Sequence, residues 1–348
     1  MRNISGAASK KALPFARKVM LLLALQGFAA FATPAAETKL LNVSFDVSRQ
    51  LFQDINPAFI RFWKAQSGEE IAINQSHGGS AKQARAVIDG LEADVVTLNQ
   101  ANDIDVIADQ GKLLPSSWRN LLPNHSAPYS STIVFVVRAG NPKNIKDWDD
   151  LTKPGVSVIV PNPKTSGNGR YSYLAAYAHA LEESGKDETK ARAFVAALFK
   201  NAPVLDSGGR GATTTFVQRG IGDVLLTFEA EALLTVRESG GGKYAVVTPA
   251  QSIEAEMPVA VVTKFARRHG TEQLAQAYLQ FLYSEEAQEI IARNFYRPRL
   301  ETVFAKHADQ FGRLKLVSVD ETFGGWAKAQ RVHFGDGGYY DQIWNATN

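Results

Sequence analysis

Strand-like and helix-like patterns alternate along almost the whole chain, and no other feature limits the possible folds as much. "LLNVSFDV" (40–47) reads as a strand. "QLFQDINPAFIRFWKAQSG" (50–68) follows, with Leu51, Ile55, Phe59 and Phe62 spaced to share one helix face. "EIAIN" (70–74) is a second strand, and "SAKQARAVIDGLEA" (80–93) a second helix striped by Ala84, Val87, Ile88 and Leu91. "ADVVTLN" (93–99) is a continuous apolar run, as strands buried on both faces are. The alternation continues through 131–140, 156–160, 222–228, 244–249 and 258–263, and helices are expected near 271–283 and 285–295. This is the pattern of an α/β fold with mostly parallel sheets.

The length calls for two cores rather than one. The extended runs 131–140 and 256–264 are placed to carry the chain between two lobes. The expected division is residues 38–131 with about 258–312 in lobe I and about 132–257 in lobe II. A C-terminal segment, 313–348, would pack across both.

The start of the chain reads as a secretory signal over residues 1–32. A basic stretch ends at Lys18, an apolar run extends from Val19 to Ala32, and Ala30-Phe31-Ala32 fits the small-x-small cleavage rule. The run is shorter than the ~20 residues of a spanning helix. Charge depends on this leader. Arg2, Lys10, Lys11, Arg17 and Lys18 are five of the 38 basic residues, and no acid lies among residues 1–36. Without them 33 basic side chains face 35 acidic ones, a net charge of −2, and no basic block survives. A nucleic-acid partner is therefore not expected. The chain has no cysteine, so it carries neither a disulfide scaffold nor a lipid-accepting thiol at the cleavage site. The expected product is an exported, unanchored protein in a periplasm.

Three places repeat one device, a strand, then a Gly/Ser-rich loop, then a helix. They are "INQSHGGSAKQA", "PNPKTSGNGRYSYLAAYAHAL" and "PVLDSGGRGATTTFVQRG". Ser80 would cap or begin the first helix. Leu174, Tyr177, Ala178 and Leu181 would stripe the second, and the third would start near Gly209. Glycine lets backbone N–H groups turn to a ligand without a Cβ in the way. The first turn of a helix leaves N–H groups unpaired and carries partial positive charge, so a small anion is its natural partner. In an α/β sheet such loops sit at the carboxyl ends of the strands, where ligands bind. None of the three matches a P-loop or a dinucleotide fingerprint.

With these motifs in order, the chain resembles the periplasmic sulfate/thiosulfate-binding proteins, the solute receptors of an ABC importer. The likeness rests on "LLNVSFDVSRQLF", "QSHGGSAKQA", "ADVVTLN", "SAPYSSTIVFVVRAGNPKNIKDWDDL", "PNPKTSGNGRYSYLAA", "LDSGGRGATTTF", "GIGDVLL", "NFYRPR" and "FGGW", and it spans residue 40 to about 343. It implies a two-lobed type II binding-protein fold that closes on a dehydrated tetrahedral dianion held by uncharged N–H donors. Carried over by motif, Ser80 gives an N–H from the first loop. Ser166, Gly167 and Asn168 give N–H groups from the second, and Ser166 adds its hydroxyl. Gly209 gives one from the third. Asp46 and Arg210 correspond to a nearby charged pair that orders the loops without touching the anion. Where the family has a donating Trp after "GDVL", this chain has Phe228. That lining residue has no donor, as in the thiosulfate branch, whose "PKTSGN" and "GGRGATTTF" wording the chain shares; "GGS" and "APYSSTIVF" are closer to the sulfate branch. The resemblance further implies a membrane permease as partner, a monomer, and no cofactor. A site made only of donors leaves the proton of phosphate without an acceptor, so phosphate should be rejected.

Other readings are weaker. The six histidines, at 77, 125, 179, 269, 307 and 333, form no metal spacing. His77 is expected to order its loop by a hydrogen bond, and Lys82 and Lys164 to be solvated. Ser76, Ser80 and Ser166 lie in no nucleophile motif. An enzyme that uses the same loops to hold a phosphorylated or sulfated substrate is the alternative from another class.

Overall fold

The computed structural model describes residues 37–347, so the expected secretory signal lies outside the described residues. Two four-stranded sheets carry the architecture. The first is built from β1 (Thr38–Phe45), β2 (Ile71–Gly78), β3 (Val95–Thr97) and, far along the chain, Val259–Val261. Its order is Val259–Val261, β3, β1, β2, with β1 parallel to both neighbours and the late strand antiparallel at the edge. The second sheet uses Ile133–Arg138, Val158–Ile159, Val224–Phe228 and Tyr244–Val247. Here Val224–Phe228 pairs parallel with Val158–Ile159 and antiparallel with Ile133–Arg138.

Local sequence explains these elements. Ile133–Val137 is buried at every position, because Ile133, Phe135 and Val137 face the main core while Val134 and Val136 face a smaller cluster with Ala212 and Phe216. Helix α1 (Arg49–Ser67) lays Leu51, Phe52, Ile55, Ala58 and Phe59 against the first sheet. It stops at Gly68, whose φ of 75° is the left-handed conformation that glycine adopts at little cost. Phe59 meets Tyr278 edge-on, ring centroids 5.0 Å apart.

A small antiparallel sheet precedes two of the large-sheet strands. Tyr129–Ser131 pairs with Ala255–Glu256 and with Arg297–Pro298. Tyr129–Ser131 leads into Ile133–Arg138 of the second sheet, and Ala255–Glu256 into Val259–Val261 of the first. A buried bidentate pair between Arg297 and Glu229, at 2.6 and 2.9 Å, anchors this region. The C-terminal part adds Lys315–Val317, parallel to Gln251–Ile253, and then the helices Val319–Phe323, Trp326–Ala329 and Tyr339–Thr347. Lys164 is not solvated as expected. Its ammonium donates to the Phe334 carbonyl at 3.0 Å and pairs with Asp341 at 2.8 Å, fixing the second Gly/Ser loop to the C-terminal helices. Among the described residues, no helix is long and apolar enough to cross a membrane.

Candidate functional site

Three helices begin at the three Gly/Ser loops: α2 (Ser80–Ile88), α3 (Gly167–Glu183) and α4 (Gly209–Val217). Their loops meet at Gly79. A Cβ built there would lie 2.8 Å from the Thr165 carbonyl oxygen and 3.1 Å from that of Ser207. Only glycine permits that approach. The Thr165 hydroxyl donates to the Ser207 carbonyl at 3.0 Å, which ties the second loop to the third. A Cβ at Gly209 would lie 3.0 Å from Asn168 Nδ2 and 3.1 Å from Val47 Cγ1. The beginnings of the three helices are thus brought together, with their unpaired N–H groups and positive ends.

Ser80 is the first residue of α2, and its buried hydroxyl oxygen accepts the Asn99 N–H at 3.4 Å. Gly167 and Asn168 are the first two residues of α3, where no intrahelical acceptor exists for their N–H groups. The Asn168 side chain is committed: its Nδ2 donates to Thr227 Oγ1 at 3.0 Å and its Oδ1 accepts from Ser172 at 3.3 Å. Ser166 differs from expectation. It is the N-cap, its hydroxyl oxygen accepts the Gly169 N–H at 3.3 Å, and its own N–H donates to the Asn162 carbonyl at 2.9 Å. Its hydroxyl proton is then what it has to offer, since the turn that leads into the cap consumes the amide. Phe228 follows Thr227, and its fully buried ring packs against Phe45 and Tyr171, at centroid distances of 6.4 and 5.8 Å.

Residues 46–297 match a family model described as bacterial extracellular solute-binding protein. A thiosulfate-binding protein of Pseudomonas aeruginosa is 56% identical over 323 residues, 93% of this chain and 96% of that protein. The chain belongs to the bacterial extracellular solute-binding proteins. A sulfate-binding protein of Escherichia coli is 55% identical over 315 residues, 90% of this chain and 95% of that protein. Among solved structures, the sulfate-binding protein SubI of Mycobacterium tuberculosis superposes with a TM-score of 0.76 at 34% identity, covering 85% of this chain and 99% of SubI. The fold is the two-lobed α/β fold of periplasmic solute receptors.

Around the helix starts this solute-binding protein arranges its charges at one remove. Asp46 and Arg210 sit together, but not as a pair of side chains. The Arg210 backbone N–H donates to Asp46 Oδ2 at 3.0 Å, and the Val47 N–H donates to Asp46 Oδ1 at 3.1 Å. Burial holds the Asp46 carboxyl above its ordinary value, against the weaker downward pull of these N–H groups. The Arg210 guanidinium pairs instead with Glu231, at 3.2 Å. Glu231 is 1% exposed, and burial raises its carboxyl to about 7 despite the arginine. Arg170, in the first turn of α3, donates to Asp103 at 3.1 Å and to the Pro163 carbonyl at 3.0 Å. That ion pair is closed off, with Arg170 at 7% and Asp103 at 3% exposure. His77 Nδ1 lies 3.3 Å from the Phe45 carbonyl, the loop-ordering contact expected of it, and burial lowers the pKa of the ring.

Sequence reasoning missed Glu231, Asp103, Arg170 and Asn99. The signal for Glu231 was an acid inside the apolar stretch "VLLTFEAEALL". For Asn99 it was a polar residue at the carboxyl end of a buried strand, on the ligand side of an α/β sheet. Among the described residues, no group of three or more His, Cys, Asp or Glu side chains is placed to hold a metal ion.

Proposed function

We propose that this protein captures sulfate or thiosulfate between its lobes and hands the anion, unchanged, to a membrane ABC permease. The observation that carries this reading is the meeting of three helix starts at Gly79. Donors from Ser80, Gly167, Asn168 and Gly209, with the Ser166 hydroxyl, then share one tetrahedral ion. Asp46 and Arg210 stay one layer back and hold loops. The relatives at 55 and 56% identity, one a sulfate-binding and one a thiosulfate-binding protein, support the ligand class and leave both anions in it.

Residues 38–131 with about 258–312 form lobe I, and about 132–257 form lobe II. Closure turns on the strands at 129–131 and 255–256, and the C-terminal segment that begins at residue 313 lies across both lobes. The protein acts in the periplasm as an exported monomer. It performs no catalysis; the Ser166 hydroxyl oxygen serves as a helix cap.

Titration calorimetry with sulfate, thiosulfate, molybdate and phosphate tests the reading. Tight binding of sulfate or thiosulfate is expected, with phosphate bound more weakly, because the backbone donors of the helix starts give its proton no acceptor. Equal binding of phosphate would overturn the donor-only account. Phe228→Trp, which adds an indole N–H, should shift the preference towards sulfate. An unchanged sulfate-to-thiosulfate ratio would remove position 228 from the explanation.

A further inference from the structure

Asn99 follows β3 at the carboxyl edge of the first sheet, and its main-chain N–H is held by the Ser80 hydroxyl at 3.4 Å. Its side chain reaches the opposite wall. A Cβ built on Gly167 would lie 1.8 Å from Asn99 Oδ1 and 3.0 Å from Nδ2. The carboxamide therefore stands between the first residue of α2 and the first residue of α3, the two places from which anion donors are drawn. The residue is 2% exposed, and Oδ1 has no hydrogen-bond partner. A buried polar atom without a partner is costly, and such atoms are kept where they meet a ligand.

We propose that the Asn99 carboxamide belongs to the anion site and determines its specificity. This rests on the proposed anion-receptor function. The other groups directed there are N–H and O–H donors, fixed by the backbone or by a cap. A primary amide carries both a donor and an acceptor, and a half-turn about χ2 exchanges them. In the positive field of the helix starts, a fully deprotonated anion is met by the NH₂ group. A carboxylate in the same place would repel that anion and accept the proton of a protonated one. Residue 99 thus sets which protonation state the cleft takes. Glycine at 167 leaves the space in which the amide stands.

The test is calorimetry of the full mature protein and of Asn99→Ala and Asn99→Asp, each titrated with sulfate, thiosulfate and phosphate at neutral pH, with thermal melts as a check of folding. Asn99→Ala should lose at least tenfold in affinity for the anion the wild type prefers, with an unchanged melting temperature. Asn99→Asp should lose more than a hundredfold for that anion and raise the phosphate-to-sulfate affinity ratio by at least a hundredfold. If the wild type binds sulfate or thiosulfate while both variants bind it within twofold of the wild type, Asn99 is a spectator and the proposal fails. If the wild type binds none of the three anions, the receptor reading itself fails. Should Asn99→Asp not fold, Asn99→Ala alone decides.

Discussion

The starts of α3 and α4 face the same place but are held in different ways. The start of α3 is closed off. Ser166 caps it within its own chain segment, Asn99 stands against Gly167, and Arg170 of the first turn is locked to the buried Asp103. The start of α4 is held from outside by Asp46, a carboxylate from the loop after β1, which takes the Arg210 N–H. The Arg210 guanidinium is 55% exposed and leans on a buried Glu231. Neither arginine joins the helix starts through its guanidinium. Charge is used here to place loops, and the helix starts are left to neutral amides.

The contrast can be broken from either side. At the helix starts themselves, the largest effect on anion affinity is expected at Gly167→Ala, because no Cβ fits 1.8 Å from the Asn99 oxygen. Anion affinity should fall at least a hundredfold, about 3 kcal/mol. In an Asn99→Ala background the same change should cost less than tenfold, because the obstruction is gone. Calorimetry of the two singles and the double variant checks this.

Asp103→Asn acts on stability rather than on affinity. It leaves the buried Arg170 without its counter-charge, and breaking a buried pair from one side costs roughly 3–5 kcal/mol. Urea unfolding should register that loss. A change under 1 kcal/mol would show that the closed character of the α3 start is illusory.

Glu231→Gln probes the other start and has a pH signature. The folded-state pKa of Glu231, about 7, lies above the ordinary carboxyl value. Its stabilising contribution is therefore present below the unfolded pKa and lost as pH rises through about 7. The loss is at most about 3 kcal/mol, from ~1.4 kcal/mol per pKa unit. Glu231→Gln should flatten the stability profile between pH 5 and 8, followed by thermal melts. An identical slope in wild type and variant would dismiss Glu231 as its source.

The smallest effect is expected for Asp46→Ala. It removes one acceptor from the α4 start while Gly209 keeps its place, so affinity should fall about tenfold, ~1.4 kcal/mol. Asp46→Asn, which keeps an acceptor oxygen, should fall less.

Much of this was legible in the residues. The alternation of patterns predicted helices at 50–68 and 80–93, and they are observed at Arg49–Ser67 and Ser80–Ile88. The Gly/Ser loops predicted helix starts at Ser80 and Gly209, because unpaired N–H groups and glycine freedom are local properties. What escaped was long-range. The stripe on α3 reads as one face, yet from Gly167 to Ala178 every residue is buried, because the C-terminal helices cover the side that local pattern leaves to solvent. Lys164 reads as solvated until Phe334 and Asp341, about 170 residues on, supply its acceptors. Arg210 and Asp46 read as a charged pair in sequence, but no local rule discloses that Glu231 takes the guanidinium. The Ser166 amide reads as a free donor in sequence, because the turn that consumes it, back to Asn162, is set by how the loop folds on itself.

The most direct test of the central claim is a crystal structure of the mature protein with sulfate or thiosulfate bound. One tetrahedral ion is expected with the amides of Ser80, Gly167, Asn168 and Gly209 at about 2.7–3.2 Å, and with no guanidinium or ammonium group touching it. An ion bound through the side chain of Arg170 or Arg210, or one that lies away from these helix starts, would contradict the account.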